Sequence, residues 1–109
     1  YQIPIILFSK NTRSYITTQM QLPINVIGID SDLSLKEARN ILGNNFAIQG
    51  NLSPQLLLSS DKANLKKAVK TILKEMKDDP GFIFNLGHGI LPTTPLDHVE
   101  LVVDMVKNA

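Results

Sequence analysis

The 109-residue sequence predicts an α/β protein built on a parallel sheet. Four short apolar runs rich in Ile, Val and Phe are typical of strands buried on both faces of such a sheet. Amphipathic patterns between the runs predict the helices that parallel neighbours require as crossovers. The predicted strands cover residues 3–8, 25–29, 46–49 and 82–86.

The first two helices are predicted with unequal signals. Residues 11–21 are rich in Thr, a poor helix former, and are interpreted as a weak helix because two parallel strands flank them. The second helix is expected at residues 35–42. Ser34 and Glu37 form a capping box before it, and Gly43 is a typical C-terminal stop.

The third helix has the clearest pattern, with apolar residues on one face and lysines elsewhere over residues 61–77. Pro80 and Gly81 follow it as breakers. The fourth helix is expected to have Thr94 as its N-cap and Pro95 at its first position. Its apolar stripe is expected to contain Leu96, Val99, Val102, Val103 and Val106.

The resulting β-α-β-α-β-α-β-α order fits one domain without a linker or repeat. Two architectures satisfy it. One is a small open doubly wound sheet, and the other is a segment of a (β/α)8 barrel, which in full needs about 250 residues. Because the chain begins at Tyr1 without an initiator Met, we expect it to be a piece of a longer protein.

Composition argues against several classes of protein. Eleven Lys and Arg face ten Asp and Glu, so the formal net charge of +1 gives little attraction to nucleic acid or to an anionic membrane. No apolar run approaches the ~20 residues of a membrane span. The absence of Cys removes disulfides and thiolate metal sites and fits a reducing compartment, so a cytoplasmic location is expected.

Both architectures bind ligands beyond the carboxyl ends of their strands. This rule selects Lys10, Asp30, Asn51 and the turn Gly87-His88-Gly89. Asp30 also fits a cap of the turn that follows it, and Asn51 fits an ordinary turn. His98, outside the predicted stripe of the fourth helix, is interpreted as a solvated surface residue.

His88 is the main candidate, because it lies between two glycines directly after a predicted buried strand. Its imidazole can exchange protons near neutral pH and, when protonated, can pair with a carboxylate. The alternative is that the glycines only shape the loop while His88 caps or hydrogen-bonds the backbone. No G-x-G-x-x-G, P-loop, metal-ligand cluster or nucleophile–His–acid set is present.

The run Asn85-Leu86-Gly87-His88-Gly89 closely resembles the signature of the last barrel strand in the uroporphyrinogen decarboxylase family. Residues 47–54, Ala-Ile-Gln-Gly-Asn-Leu-Ser-Pro, are similar to a second segment of that family. Residues 26–30 and 3–10 add two weaker matches in the same order. The resemblance therefore covers nearly the whole chain.

Three positions depart from the family pattern: Ser31 replaces a Trp, Asn11 a Gly and Ser53 an Asp. Related corrinoid and thiol methyltransferases share the fold but hold zinc through Cys and His. The absence of Cys favours the decarboxylase branch, with the methyltransferase type of barrel as an alternative.

The resemblance implies that residues 1–109 are the C-terminal half of a (β/α)8 TIM barrel, with four parallel β-α units. It implies a parent enzyme that converts uroporphyrinogen III to coproporphyrinogen III and releases four CO2, without metal or organic cofactor. His88 is the only family site residue that carries over, as a catalytic group and a contact for a substrate carboxylate. The other site groups are expected upstream, so the isolated chain is expected to be inactive.

The resemblance also implies a small-molecule substrate, uroporphyrinogen, and a homodimer is expected because an isolated half-barrel has two unpaired edges and open apolar faces. Two further alternatives are of other classes. One is a small flavodoxin-like binding or regulatory module, although the expected acidic cluster after its first strand is replaced by Lys10. The other is a half-barrel that pairs with itself through its open edges.

Overall fold

A computed structural model describes residues 2–109 of the chain. Strands and helices alternate along it as the sequence predicts. A short 3-10 helix, Pro54–Leu58, is the one addition to that alternation within the described residues. The strands are β1 (Ile6–Phe8), β2 (Val26–Gly28), β3 (Ala47–Leu52) and β4 (Phe82–Leu86), and the helices are α1 (Thr12–Gln19), α2 (Leu35–Leu42), α3 (Lys62–Glu75) and α4 (Leu96–Lys107).

The four strands form one parallel sheet in the order β1-β2-β3-β4. A doubly wound or flavodoxin-like sheet reverses its strand order at a switch point, whereas a (β/α)8 barrel adds each strand beside the previous one. The sheet of residues 2–109 therefore has the topology of a half-barrel, and the flavodoxin-like alternative is wrong for these residues.

The core lies on one face of the sheet. The register places Leu7, Ile27 and Ile48 side by side, and the last two belong to the core cluster that includes residues of all four helices. Side chains on the opposite face remain open: Ile6 is 50%, Phe8 42% and Ile83 43% exposed. The prediction that both faces are buried is wrong for β1 and β4, because the helices cover only one face there, and it holds for β2, all of whose residues are buried.

The predicted limits of α2 are confirmed, and α3 begins where the pattern predicts but ends at Glu75, two residues before the predicted end. Ser34 Oγ accepts a hydrogen bond from the Glu37 backbone N–H at 3.1 Å, and Gly43 follows α2 with a φ of 61°. Asp61 caps α3 by accepting from the Ala63 N–H at 2.9 Å. The weak α1 is also present. No helix in residues 2–109 is long and apolar enough to cross a membrane.

The first turn of α4 differs from the prediction. Pro95 rather than Thr94 occupies the N-cap, because the Thr94 hydroxyl donates to the Leu91 carbonyl at 2.7 Å and caps no helix N–H. In the first turn of α4, the Asp97 carboxylate accepts a hydrogen bond from Lys62 Nζ at 2.9 Å, and this bond lowers the pKa of the Asp97 carboxyl. Leu96 and Val103 are exposed, so neither joins the apolar stripe.

Two strand limits differ by three residues from the predicted ones, and both differences follow from pairing. β1 begins at Ile6, since pairing with β2 starts at Val26 and Pro4, within the predicted strand, has no N–H to donate. β3 runs three residues beyond the predicted end, because its pairing with β4 continues to Leu52. The longer β3 brings Asn51 into the sheet.

Candidate functional site

A cavity of about 460 Å³ lies at the carboxyl edge of the sheet, on its open face. The register brings Phe8, Gly28 and Gln49 into one row across β1, β2 and β3. Asn85 and the turn after β4 complete the wall. The carboxyl ends of all four strands are thus grouped around one concave surface, which is where barrels bind their ligands.

His88 lies in the wall of this cavity, and its side chain is half-buried. Its ring makes no hydrogen bond to any protein group within residues 2–109, in contrast to His98. The alternative in which His88 caps or hydrogen-bonds the backbone is therefore not what the structure shows. Both ring nitrogens are available to a ligand that enters the cavity.

The two glycines beside His88 have different roles. A Cβ at position 87 would lie 2.8 Å from the Ser31 backbone nitrogen and 3.1 Å from the Ser31 Cβ, distances that exclude a side chain. The Gly87 N–H also donates to the Leu52 carbonyl at 2.7 Å. A Cβ at Gly89 would meet no atom within 4 Å. Only Gly87 is fixed by close packing.

Three rim residues selected from the sequence lie outside the cavity wall. The carboxylate of Asp30 accepts hydrogen bonds from the Asn11 and Ser31 backbone N–H groups, at 3.0 and 2.7 Å. The side-chain amide of Asn51 donates to the carbonyls of Asp30 and Leu33. Lys10 is exposed. Asp30 thus caps the turn that follows it, as its capping interpretation predicts, whereas Asn51 lies in β3 rather than in a turn and bonds the Asp30 backbone.

Sequence reasoning did not select four residues of the wall that lie on the strands, namely Phe8, Gly28, Gln49 and Asn85. Of these four, Gly28 is the residue that the sequence could have indicated. A glycine within a strand often marks a place where a ligand or another segment comes close to the strand backbone. A Cβ there would lie 3.0 Å from the Phe8 side chain, so the absence of one lets the Phe8 ring lean over β2. Whether Phe8, Gln49 and Asn85 lie in the wall depends on the register of the strands.

The prediction of a solvated His98 is wrong. The side chain is buried, and its Nδ1 lies 2.7 Å from the carbonyl oxygen of Leu57 in the 3-10 helix. Because a carbonyl only accepts, Nδ1 carries the proton and donates. His98 therefore joins α4 to the segment after β3.

No group of three or more metal-ligating side chains occurs among the described residues.

Comparison with known proteins identifies a single family. The model of a family described as uroporphyrinogen decarboxylase (URO-D) matches residues 1–109. The uroporphyrinogen decarboxylase of Vesicomyosocius okutanii subsp. Calyptogena okutanii is 41% identical over 104 residues, which are 95% of this chain and 30% of the relative. That of Syntrophotalea carbinolica is 42% identical over 106 residues, 97% of this chain and 31% of the relative. The chain thus spans about 30% of the length of these curated relatives.

Proposed function

Because the chain belongs to the uroporphyrinogen decarboxylase family, we propose that it is the C-terminal part of a uroporphyrinogen decarboxylase. In this proposal residues 1–109 supply the last four strand-helix units of a (β/α)8 barrel. The sequential parallel sheet supports it, since four such units make half of a barrel. Activity belongs to the whole enzyme, of which this chain is about 30%.

The proposed reaction converts the four acetate side chains of uroporphyrinogen III to methyl groups, giving coproporphyrinogen III and four CO2. Each decarboxylation breaks the bond between the methylene carbon and its carboxylate, and the electron pair must be held while CO2 leaves. Protonation of the adjacent pyrrole carbon makes the ring an electron sink. The methylene then takes up a proton in place of CO2, and the pyrrole carbon loses the proton it had gained, so each cycle consumes one proton.

His88 is proposed to contact a substrate carboxylate and to assist one of these proton transfers. The observation that carries this role is a half-buried imidazole in the cavity wall with no protein hydrogen-bond partner in residues 2–109. An imidazole can pair with an anionic carboxylate when protonated and can act as a proton donor. The reaction as proposed needs no metal or organic cofactor.

The remaining substrate contacts are assigned to the upstream part of the enzyme. A substrate with several carboxylates calls for cations, but both arginines of this chain have other partners. Arg13 bonds Glu37, and Arg39 bonds Asp79. The isolated chain is therefore expected to give no coproporphyrinogen when assayed with uroporphyrinogen, and measurable turnover would overturn this assignment.

The full-length parent provides the direct test. His88→Asn should lower kcat/KM by about 100-fold or more, the usual contribution of a positioned acid or base, and leave the melting temperature nearly unchanged. His98→Asn is the matched control, because it removes a buried histidine with a structural bond to the Leu57 carbonyl. This control should lower the melting temperature and leave kcat/KM near wild type. The opposite pattern would refute the role of His88.

The proposal includes a homodimeric, cytoplasmic parent, which sedimentation of the purified enzyme and cell fractionation test. For the separated chain it includes self-association. The sheet leaves β1 and β4 with a free edge each and exposes Ile6, Phe8 and Ile83 on its open face. Exposed strand edges and apolar patches of this kind favour pairing with another chain.

A further inference from the structure

Asp30, at the carboxyl end of β2, is a buried carboxylate without a cationic partner among residues 2–109. Only 7% of its surface is exposed. Its Oδ2 accepts from the Asn11 N–H at 3.0 Å and its Oδ1 from the Ser31 N–H at 2.7 Å. These two donors belong to different loops, one after β1 and one after β2. A single carboxylate therefore fastens two loops of the site edge together.

The backbone of Asp30 extends this network to the neighbouring strands. Its N–H donates to Thr12 Oγ1 at 2.8 Å, and its carbonyl accepts from Asn51 Nδ2 at 3.0 Å. Thr12 opens α1 directly after the β1 loop, and Asn51 lies in β3. The carboxyl ends of β1, β2 and β3 are thus held at one residue.

The turn that carries His88 rests on the same residue. β4 is not adjacent to β2 in the sheet, yet the Gly87 backbone reaches the Asp30-Ser31 turn. A Cβ on Gly87 would lie 2.8 Å from the Ser31 nitrogen and 3.3 Å from Asp30 Oδ1. The Ser31 N–H in this contact is the one that Asp30 Oδ1 accepts. Any shift of the Asp30-Ser31 turn is therefore passed to Gly87 and to His88, the next residue.

A carboxylate is needed here because two separate N–H groups must be accepted at once. The side-chain amide of an Asn at this position would have one accepting oxygen, and its NH2 group would face the second N–H donor. A buried charge is costly unless it is well hydrogen-bonded, and a simple turn cap needs no charge. The arrangement suits a residue that sets the relative position of two loops.

We infer that Asp30 is a positioning residue for His88, acting through Ser31 and Gly87. This inference rests on the proposed function and adds to it a residue outside the cavity wall. Displacements of about 1 Å at a reacting group lower rates by as much as ~100-fold. Asp30→Asn in the full-length parent is therefore expected to lower kcat/KM by about 10- to 100-fold.

A double-mutant cycle separates positioning from a merely structural role. If Asp30 acts through His88, Asp30→Asn should change kcat/KM by no more than about twofold in the His88→Asn background, which is the usual error of additivity. In the wild-type background, Asp30→Asn should change kcat and KM in the same proportion as His88→Asn does. Equal losses in both backgrounds, or no loss in the wild-type background, would overturn the inference.

Asp79→Asn is the matched control. Asp79 also accepts a backbone N–H, that of Gly81 at 2.9 Å, but it lies at the opposite edge of the sheet. Its replacement should lower the melting temperature and leave kcat/KM within about twofold of wild type. If Asp30→Asn does not fold, Thr12→Val serves in the same cycle, because it removes the acceptor of the Asp30 N–H and preserves side-chain shape.

A spectroscopic measurement keeps the inference independent of turnover. The NMR signal of the His88 ring, assigned by its loss in His88→Asn, should shift in Asp30→Asn and stay in place in Asp79→Asn. An unmoved signal overturns the positioning role. A wild-type parent that fails to convert uroporphyrinogen overturns the proposed function instead, so the two failures are distinguishable.

Discussion

Replacing Arg39 by Met should destabilise the protein without affecting its chemistry. The guanidinium of Arg39, on α2, binds the Asp79 carboxylate through two parallel hydrogen bonds of 2.8 and 2.9 Å. It also donates to three carbonyl oxygens, those of Gly43, Phe46 and Gly81 at 2.9, 2.6 and 3.4 Å. One side chain thus joins the end of α2, the start of β3 and the loop before β4.

The magnitude follows from the burial of the pair. The Arg39 and Asp79 side chains are 20% and 18% exposed, so solvent screens them only in part. Removing one partner of a fully buried ion pair costs about 3–5 kcal/mol, and exposed pairs are worth about 0–1 kcal/mol. We expect a loss of about 3 kcal/mol for Arg39→Met, since Asp79 would keep only the Gly81 N–H. Arg39→Lys keeps the positive charge but loses the two parallel hydrogen bonds of the guanidinium, so it should lower the free energy of unfolding by about half as much.

Calorimetry of the full-length parent measures this effect. The 104 residues matched are 30% of a relative, so a parent of the same length as that relative would have about 350 residues. At about 2 cal/mol/K per residue its unfolding entropy is about 0.7 kcal/mol/K, so a loss of 3 kcal/mol lowers the melting temperature by about 4 °C. The control is Arg13→Met, because Arg13 and Glu37 are 57% and 54% exposed and should contribute less than about 1 kcal/mol. Equal shifts for the two variants would refute the reasoning.

Two other predictions concern Gly87 and the isolated chain. Gly87→Ala should lower kcat/KM of the parent by at least about 10-fold, because its Cβ would lie 2.8 Å from the Ser31 nitrogen. Gly89→Ala, with open space around it, should stay within about twofold, and equal activities of the two variants would contradict the packing argument. The isolated 109-residue chain should self-associate, with a dimer expected by light scattering at tens of micromolar, a typical scale for association of exposed edges. A clean monomer at that concentration would count against the open sheet face as a pairing surface.

Local signals were sufficient to predict most elements of the fold. Ser34 and Gly43 delimit α2 where the capping pattern places them, and the predicted limits of β4 agree with the observed ones. Strand order was left open, and burial on both faces was predicted for strands of which β1 and β4 have an exposed face, because neither property is encoded in the periodicity of a single run. Both depend on which strands pair and in which register, and the register of Ile48 with Phe82 also extends β3 beyond its predicted end.

The candidate site was predictable only where a residue follows its strand directly. The position of His88 after β4 is enough to place it at the carboxyl edge. Gln49 reaches the cavity because it pairs with Gly28 and Ile83, an alignment of three segments far apart in sequence. The error at His98 has the same origin, since its hydrogen-bond partner Leu57 is 41 residues away.

The two edges of the sheet hold their loops in different ways, and the difference bears on function. At the amino edge the Asp79 carboxylate is paired with the Arg39 guanidinium, and this ion pair stabilises the fold. At the carboxyl edge Asp30 accepts from the backbone N–H groups of Asn11 and Ser31 and from the Ser31 hydroxyl, so within residues 2–109 the loops are held without a cation in direct contact with it. Arg39→Met should therefore lower stability with kcat/KM unchanged, whereas Asp30→Asn should lower kcat/KM by more than its loss of stability explains. A common loss of both properties in the two variants would mean that the edges are not separate in function.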